Sequence, residues 1–286
     1  MRVAVIGGAG RMGTWLVRYF TSKGYEVTLS DVRRDEAKEI ADAEGTKVEK
    51  DNLEAAKNAD LVVVSTPIEV TPRVLCEIRP GLRRPVTVME ISSLKSDVIP
   101  VLEEISRRGA KTLSVHPLFG PGVQDVARER MALIPVSDPA SELEMVRSLF
   151  PRAEIVVVNA EEHDRAMALS LSLPHFVNIA FASVIGEEDL DVLKKLGGTT
   201  FKLQLAVSEG VMTEDPRLYA SIQMSNKYTV QYLDKLLSRA TSLRRHIDGR
   251  DPGSFLQFYS EVRASLSKDR EFSRAYERMY RALQAL

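Results

Sequence analysis

The chain has 286 residues, a length that suits two medium-sized domains better than one small domain. Its composition, 44% hydrophobic and 28% charged, excludes a disordered chain, and 39 basic against 40 acidic residues give no electrostatic case for binding nucleic acid or a membrane surface. The single cysteine, Cys76, excludes an internal disulfide and has no Cys or His partners at the spacing of a metal site.

No segment of the sequence indicates a membrane protein or an exported one. No apolar run reaches the roughly 18 residues that a membrane-spanning helix requires. The N-terminal apolar run passes into glycines at once, unlike a signal peptide. We therefore expect a reduced, cytoplasmic protein without a bound metal.

The first predicted strand, residues 2–6, leads into a glycine-rich loop and then into a helical pattern at residues 14–20. Gly8, Gly10 and Gly13 match the G-x-G-x-x-G spacing of dinucleotide-binding folds. This spacing predicts a tight turn at Gly8, close approach of a pyrophosphate at Gly10 and close helix packing at Gly13. The residues expected to bind the cofactor here are Gly8, Gly10, Arg11, Met12 and Gly13.

A second predicted strand, residues 25–30, ends at Asp31, eighteen residues after Gly13. An acid at this place binds the ribose hydroxyls of NAD and repels the 2′-phosphate of NADP. Arg33 and Arg34 follow directly and can accept such a phosphate, so NAD is favoured while NADP stays possible. The alternative is a glycine turn followed by a solvated acidic side chain.

Strand-like and helix-like segments go on alternating as far as Val158. The further strands are predicted at residues 60–65, 85–90, 111–115, 130–136 and 153–158. Such alternation predicts an α/β fold of the Rossmann type, a doubly wound and mostly parallel sheet that binds ligands beyond the C-terminal ends of its strands. We expect Thr66 and Pro67, which follow one of these strands, to contact the cofactor.

Two loops at predicted strand ends carry side chains that could bind a substrate or transfer a proton. The first, residues 90–95, offers the hydroxyl of Ser93 and the amine of Lys95, although a helix N-cap explains its serines equally well. The second begins at His116, which can act as a general base, although a structural histidine is the alternative.

The strand pattern stops after Val158, and the remaining residues are predicted to be helical. We therefore expect a dinucleotide-binding domain at residues 1–158 and a helical substrate and dimerisation domain at residues 159–286. A stripe of apolar residues from 219 to 243 predicts one long helix of a bundle core or subunit interface.

Two histidines lie on the first long helix of this second part. His163 is predicted to be a buried packing or capping residue. Pro174 should kink the helix, which favours a place in the binding cleft for His175 beside it.

Together these motifs resemble the prephenate and arogenate dehydrogenases of tyrosine biosynthesis. The segments that carry the resemblance are residues 8–13, 65–68, 93–95, 116–121, 163–164, 173–175, 201–205 and 215–224. The resemblance implies oxidative decarboxylation of prephenate to 4-hydroxyphenylpyruvate with hydride transfer to NAD. It also implies a homodimer formed by the helical half.

The resemblance also implies roles for single residues. His116 would take the proton of the C4 hydroxyl of the substrate. The residues implied to line the substrate cleft are Ser93, Lys95, His175 and Lys202. Lys202 matches an arginine that binds a substrate carboxylate in the family, and lysine keeps the charge but lacks the planar fork. Glu90 stands where relatives usually carry aspartate.

Three other functions remain open. The substrate can be arogenate instead of prephenate. Another oxidoreductase with a Rossmann and a helical half, of the β-hydroxyacid dehydrogenase or deazaflavin-dependent NADP reductase type, would leave His116 unexplained. A non-catalytic dinucleotide sensor would need neither His116 nor Ser93.

Overall fold

The structure is a computed structural model that describes residues 1–83, 85–127 and 129–285. The chain forms two compact units. Unit 1 comprises Met1–Met167 together with Met224–Asn226, and unit 2 comprises Ala168–Gln223 and Lys227–Leu286. The domain boundary expected at residue 158 stays a prediction.

Unit 1 is built on one eight-stranded sheet. The strands are β1 Arg2–Ile6, β2 Glu26–Ser30, β3 Lys47–Val48, β4 Leu61–Val64, β5 Thr87–Glu90, β6 Lys111–Pro117, β7 Arg130–Ile134 and β8 Glu154–Val157. Their order in the sheet is β3-β2-β1-β4-β5-β6-β7-β8, and among the described pairs only β6 and β7 run antiparallel. The predicted mostly parallel sheet is confirmed, while the two-residue β3 was not predicted.

Helices cover both faces of this sheet. They are α1 Arg11–Ser22, α2 Arg34–Glu44, α3 Asn52–Lys57, α4 Thr71–Ile78, α5 Ile99–Arg107, α6 Pro139–Leu149 and α7 Ala160–Met167. Alternate residues of β1 belong to opposite cores: Val3 and Val5 pack with α1, α2 and α6, whereas Ala4 and Ile6 pack with α3, α4 and α5. A strand buried on both faces has no polar side, which explains its continuous apolar sequence.

Unit 2 is helical, as the sequence predicts. Its helices begin with a π-helical segment, Ala168–Ser172, and continue with α8 Leu173–Ile185, α9 Leu190–Leu196, α10 Thr199–Met212, α11 Pro216–Ser225, α12 Thr229–Asp248, α13 Pro252–Leu266 and α14 Ala275–Leu283. Short 3-10 turns occur at Arg79–Gly81 in unit 1 and at Phe272–Arg274 in unit 2.

The single helix predicted over residues 219–243 is wrong, because the chain leaves the helical conformation between α11 and α12. Asn226 lies in this break. It is buried, and its side-chain amide donates a hydrogen bond of 2.7 Å to the main-chain carbonyl of Asp164. The helix is therefore interrupted where Asn226 bonds to a distant part of the chain. The apolar stripe alone does not reveal this interruption.

Pro174 also has a different effect from the predicted kink. It stands in the first turn of α8, directly after the π-helical segment. Proline has no N–H to donate to the preceding turn, so the regular hydrogen-bond ladder has to change before it. A widened π turn is one such change and is frequent near functional sites.

One stretch, residues 160–185, is long and apolar enough by length and composition to span a membrane, and 17% of its most apolar window is buried. This corrects the expectation that no segment reaches that length. Helices at protein interfaces have the same composition, so a single stretch of this kind is weak evidence for a membrane span.

Candidate active site

The glycine loop, residues 7–13, lies beyond β1, where the order of strands reverses between β2 and β4. Gly7 has φ 80°, and a Cβ atom there would lie 2.3 Å from the carbonyl oxygen of Ser65. A Cβ atom at Gly13 would lie 2.0 Å from the carbonyl oxygen of Gly7. The tight turn therefore belongs to Gly7 instead of Gly8, while Gly13 permits the close helix packing that was expected.

The N-terminus of α1 follows this loop and is suited to an anion. Gly10 is its N-cap residue, and none of the described side chains caps it with a hydrogen bond. Its first turn, which holds Arg11 and Met12, carries no acidic residue. The positive end of a helix dipole is thus left for a ligand, as dinucleotide-binding folds require.

Asp31 lies directly after β2, as predicted, and its carboxylate joins the glycine loop to the segment that follows β2. Oδ2 accepts a hydrogen bond of 3.0 Å from the N–H of Ala9, and Oδ1 accepts one of 2.9 Å from the N–H of Arg33. The guanidinium of Arg33 lies 3.4 Å from Asp31 and 2.8 Å from Glu36. Two acids therefore pair with Arg33, one of the two arginines that could accept a 2′-phosphate, while Arg34 donates to the main-chain carbonyl of Lys50.

The loop after β4 is fixed at the same edge of the sheet. The hydroxyls of Thr66 and Thr71 lie 2.9 Å apart, and the Thr71 hydroxyl donates to the main-chain carbonyls of Thr66 and Pro67 at 3.1 and 3.0 Å. These bonds tie the loop to the start of α4. A Cβ atom at Gly7 would lie 3.1 Å from Cγ2 of Thr66, so Thr66 lies beside the glycine loop, and the contact of Thr66 and Pro67 with a cofactor stays a prediction.

A buried ion pair organises the 90–95 loop. Glu90 ends β5, and its Oε1 accepts a hydrogen bond of 2.7 Å from Nζ of Lys95. Its Oε2 accepts one of 2.7 Å from the N–H of Ser92. Nζ of Lys95 also donates to the carbonyl oxygen of Val115 at 3.0 Å, which joins the loop to β6.

The surroundings of Lys95 correct the expectation that it binds the substrate. Its side chain has no exposed surface, and its ammonium is engaged by Glu90 and Val115. Burial lowers the pKa of Lys95, and the negative charges of Glu90 and Asp164 oppose that shift. Lys95 therefore positions the loop, while the partly exposed hydroxyl of Ser93 has no hydrogen-bond partner in the described part of the chain.

His116 lies near the end of β6 and is buried. Its Nδ1 is 3.0 Å from Nε2 of His163, and the two rings meet edge to face with centroids 5.1 Å apart. Nδ1 of His163 is in turn 2.9 Å from Oδ1 of Asp164. His163 is buried, as predicted, but both of its ring nitrogens are engaged by His116 and Asp164, which corrects the expectation of a merely packing or capping role.

Asp164 is held by donors on every side. Oδ1 also accepts from the N–H of Lys95 at 2.9 Å, and Oδ2 accepts from the N–H and the hydroxyl of Ser96 at 2.9 and 2.6 Å. Burial raises the pKa of Asp164, but the hydrogen bonds from His163 and Ser96 outweigh burial and leave this pKa lowered. The carboxylate is therefore ionised at neutral pH.

The same surroundings keep His116 neutral. Burial lowers the pKa of His116 well below its ordinary value, and the positive charge of Lys95 and the neighbouring His163 lower it further. The negative charge of Asp164 opposes these effects without reversing them. A neutral imidazole is the form that can accept a proton.

Unit 2 holds the other two residues that were expected to bind the substrate. The ring of His175, in the first turn of α8, meets Tyr219 edge to face at 4.6 Å, and its buried Nδ1 has no hydrogen-bond partner in the described structure. Burial lowers the pKa of His175. Lys202, on α10, is exposed, and no described carboxylate lies within 4.0 Å of its ammonium.

A doubly wound sheet and a glycine loop followed by an uncapped helix define a Rossmann-type dinucleotide-binding protein, and a buried histidine lies at the end of another strand of the same sheet. Residues 16–158 match the prephenate dehydrogenase nucleotide-binding domain, and residues 159–261 match the prephenate dehydrogenase dimerization domain. The chain belongs to the prephenate dehydrogenase family, which confirms the family expected from the sequence motifs.

Individual relatives agree with this assignment. A probable arogenate/prephenate dehydrogenase of Methanocaldococcus jannaschii is 27% identical over 269 residues, which are 92% of this chain and 60% of that protein. The 4-amino-4-deoxyprephenate dehydrogenase of Streptomyces pristinaespiralis is 26% identical to this chain. The match covers 99% of this chain and 97% of that protein. Two relatives named T-protein are longer, and the chain spans 66% of each.

A solved structure shares the fold. The prephenate dehydrogenase of A. aeolicus, in complex with hydroxyphenyl propionate and NAD⁺, superimposes with a TM-score of 0.76 and 18% identity. The match covers 94% of this chain and 98% of the A. aeolicus chain. The predicted order of a Rossmann domain followed by a helical domain is confirmed.

Proposed function

We propose that the protein is a prephenate dehydrogenase that uses NAD. Prephenate loses a hydride from C4 to NAD and its ring carboxylate as CO₂. The proton of the C4 hydroxyl passes to a base while the carbonyl exists, and the C4 oxygen takes up a proton again when decarboxylation makes the ring aromatic, so that 4-hydroxyphenylpyruvate and NADH are formed. The observation that carries this proposal is His116, a buried neutral histidine at the strand edge that also bears the glycine loop. Family membership and the nucleotide-binding domain support it.

The residues present fit a dinucleotide. The uncapped start of α1 at Gly10, Arg11 and Met12 would hold the phosphates, and Asp31 would bind the ribose hydroxyls with lone pairs left by Ala9 and Arg33. When bound, NAD supplies the hydride acceptor. The pairing of Arg33 with two acids favours NAD over NADP.

His116 takes the proton of the C4 hydroxyl as hydride leaves C4. Its lowered pKa keeps the imidazole free of a proton before this step. Ser93 contributes a hydroxyl that is not engaged within the protein and can bond to the reacting oxygen of the substrate. Glu90 and Lys95 hold the loop that carries Ser93, so the serine meets the substrate in a fixed place.

Prephenate is a dianion, and its carboxylates need cations or several donors. We assign one carboxylate to Lys202, which has no acidic partner in the described structure. His175, with an unpartnered buried nitrogen, is the second substrate-binding residue of unit 2. Arogenate differs from prephenate in its side chain and not at C4, so the role of His116 is the same for both substrates.

We also propose a cytoplasmic homodimer. The match of residues 159–261 to a dimerization domain supports it, and so does the poorly buried apolar stretch 160–185. Val177 and Val184 on α8 are 38% and 67% exposed in the single chain. Light scattering of the full chain should give twice the monomer mass, and a monomer would contradict the assembly.

The activity is tested by mixing the protein with NAD and either prephenate or arogenate and following the absorbance of reduced nicotinamide. We expect turnover of prephenate, with CO₂ released in equal amount to NADH. A higher kcat/KM for arogenate assigns the protein to the other substrate. No turnover of either compound, with NAD binding retained, contradicts the proposal and favours the dinucleotide sensor.

A further inference from the structure

Three side chains form a continuous hydrogen-bonded series that ends at the proposed base. Oδ1 of Asp164 lies 2.9 Å from Nδ1 of His163, and Nε2 of His163 lies 3.0 Å from Nδ1 of His116. All three side chains are buried, with exposed fractions between 2% and 6%. Below, these residues are called the histidine relay.

The chemistry of Asp164 fixes the direction of the first bond in the histidine relay, and a neutral His163 fixes the direction of the second. An ionised carboxylate can only accept, so Nδ1 of His163 has to carry a hydrogen. A neutral His163 then has a lone pair on Nε2, which accepts from Nδ1–H of His116. Nε2 of His116 is left with the lone pair that a base requires.

We propose that His163 and Asp164 are positioning residues that hold His116 in the tautomer with a free Nε2 and stabilise its protonated form. This inference rests on the proposed function, in which His116 takes the C4 hydroxyl proton. In that step the O–H bond breaks and an Nε2–H bond forms on His116. The electron pair left on oxygen completes the new carbonyl as hydride departs from C4. Loss of CO₂ then returns an electron pair to this oxygen, which takes up a proton from His116 or solvent as the phenol forms, so His116 ends the cycle neutral.

The charges around His116 explain why such a relay is needed. Lys95 places a positive charge near the ring and opposes formation of an imidazolium. Glu90 compensates the ammonium directly, and Asp164 supplies a further negative charge through His163. The imidazolium that forms on His116 therefore faces an anion along its Nδ1–H bond.

The tautomer can be measured directly on the native protein. The chain has four histidines, so protein labelled with ¹⁵N-histidine gives four pairs of ring nitrogens, assigned with the variants His163→Gln, His175→Gln and His246→Gln. We expect Nδ1 of His116 to carry the hydrogen and Nε2 to be unprotonated at neutral pH. A native His116 protonated on Nε2 overturns the proposal, and this result does not depend on any activity.

Two variants of His163 separate positioning from packing. Leucine fills space but has no hydrogen bonds to offer, whereas glutamine has an acceptor for His116 and a donor for Asp164. His163→Leu should lower kcat about 10- to 100-fold, with the KM for the substrate and the Kd for NAD within about twofold of native. His163→Gln should recover most of the lost kcat, and His246→Gln should leave it unchanged.

The outcomes remain distinct from those of the proposed function. A His163→Leu variant with native kcat and native tautomer overturns the proposal. Equal losses in the leucine and glutamine variants, accompanied by a lower unfolding temperature, indicate a packing role and also overturn it. If neither prephenate nor arogenate is turned over, the proposed function fails, and the tautomer of native His116 alone decides whether the relay exists.

Discussion

The ammonium nitrogen of Lys95 lies 2.7 Å from Oε1 of Glu90, and neither side chain has any exposed surface. A buried ion pair adds little net stability compared with two apolar residues, but removal of one partner leaves an uncompensated charge. Here the pair joins β5 to the 90–95 loop, and the second hydrogen bond of Lys95 reaches β6. Its structural value therefore lies in fixing the loop that carries Ser93.

The first prediction is that Lys95→Met lowers the free energy of unfolding by about 3–5 kcal/mol, because Glu90 loses its buried cation. The double variant Lys95→Met with Glu90→Gln should lose less than the sum of the single changes, since no buried charge is left. Chemical denaturation of the four proteins gives the coupling energy. Lys268→Met, at an exposed position, is the matched control. Strictly additive losses contradict the ion pair.

The second prediction concerns His116→Asn. Asparagine keeps a polar side chain but cannot take a proton near neutral pH. We expect kcat to fall on the order of a hundred- to ten-thousandfold, the usual range for loss of a general base. Titration with NAD should show unchanged binding, because the glycine loop belongs to other strands. A variant with near-native kcat removes His116 from the mechanism.

The third prediction is the pH dependence of kcat/KM. His116 works as a base only when neutral, so activity is lost as the pH falls through its pKa. Burial, Lys95 and His163 together lower this pKa while Asp164 opposes them. The acidic limb should therefore lie below the ordinary histidine value of about 6.5. If the acidic limb of the kcat/KM profile lies at or above that value, the lowered pKa of His116 is contradicted.

Sequence reasoning predicted the sheet, the glycine loop and the position of His116, because each depends on local patterns. An apolar run followed by glycines identifies β1, and the end of a strand indicates where a loop residue such as His116 will lie. The tight turn lies one residue earlier than the G-x-G-x-x-G spacing predicts, because that spacing reveals neither the positive φ of Gly7 nor its close approach to Ser65.

The contacts between distant segments were not predictable in the same way. His163 and His116 are 47 residues apart, and no periodicity indicates that their rings meet. Asn226 supports Asp164 from a further 62 residues along the chain. The burial of Lys95 was likewise missed, because a lysine beside serines in a loop is usually solvated.

The fourth prediction concerns the cofactor. Asp31→Ser removes the charge that repels a 2′-phosphate and leaves Arg33 with Glu36 as its one remaining acidic partner among the described residues. We expect the ratio of kcat/KM values for NAD and NADP to shift towards NADP. Adding Arg33→Ala to this variant should reverse most of the shift, because the phosphate then lacks its cation. A native enzyme that prefers NADP contradicts the proposed role of Asp31.

The last prediction concerns Lys202, the residue that stands where the resemblance implies an arginine. Its ammonium is exposed and has no described acidic partner within 4.0 Å, so it is available to a substrate carboxylate. A hydrogen bond to a charged group contributes roughly 1.5–3 kcal/mol. Lys202→Ala should therefore raise the KM for prephenate about 10- to 100-fold. The Kd for NAD should not change.

Lys202→Arg provides the matched comparison. The planar guanidinium can bind both oxygens of a carboxylate, so this variant should keep or lower the KM. Lys194→Ala serves as the control for loss of a nearby positive charge, because Lys194 already pairs with Glu209 at 3.2 Å. If the KM of Lys202→Ala stays within about twofold of native, another cation binds the carboxylate and the assignment of Lys202 is withdrawn.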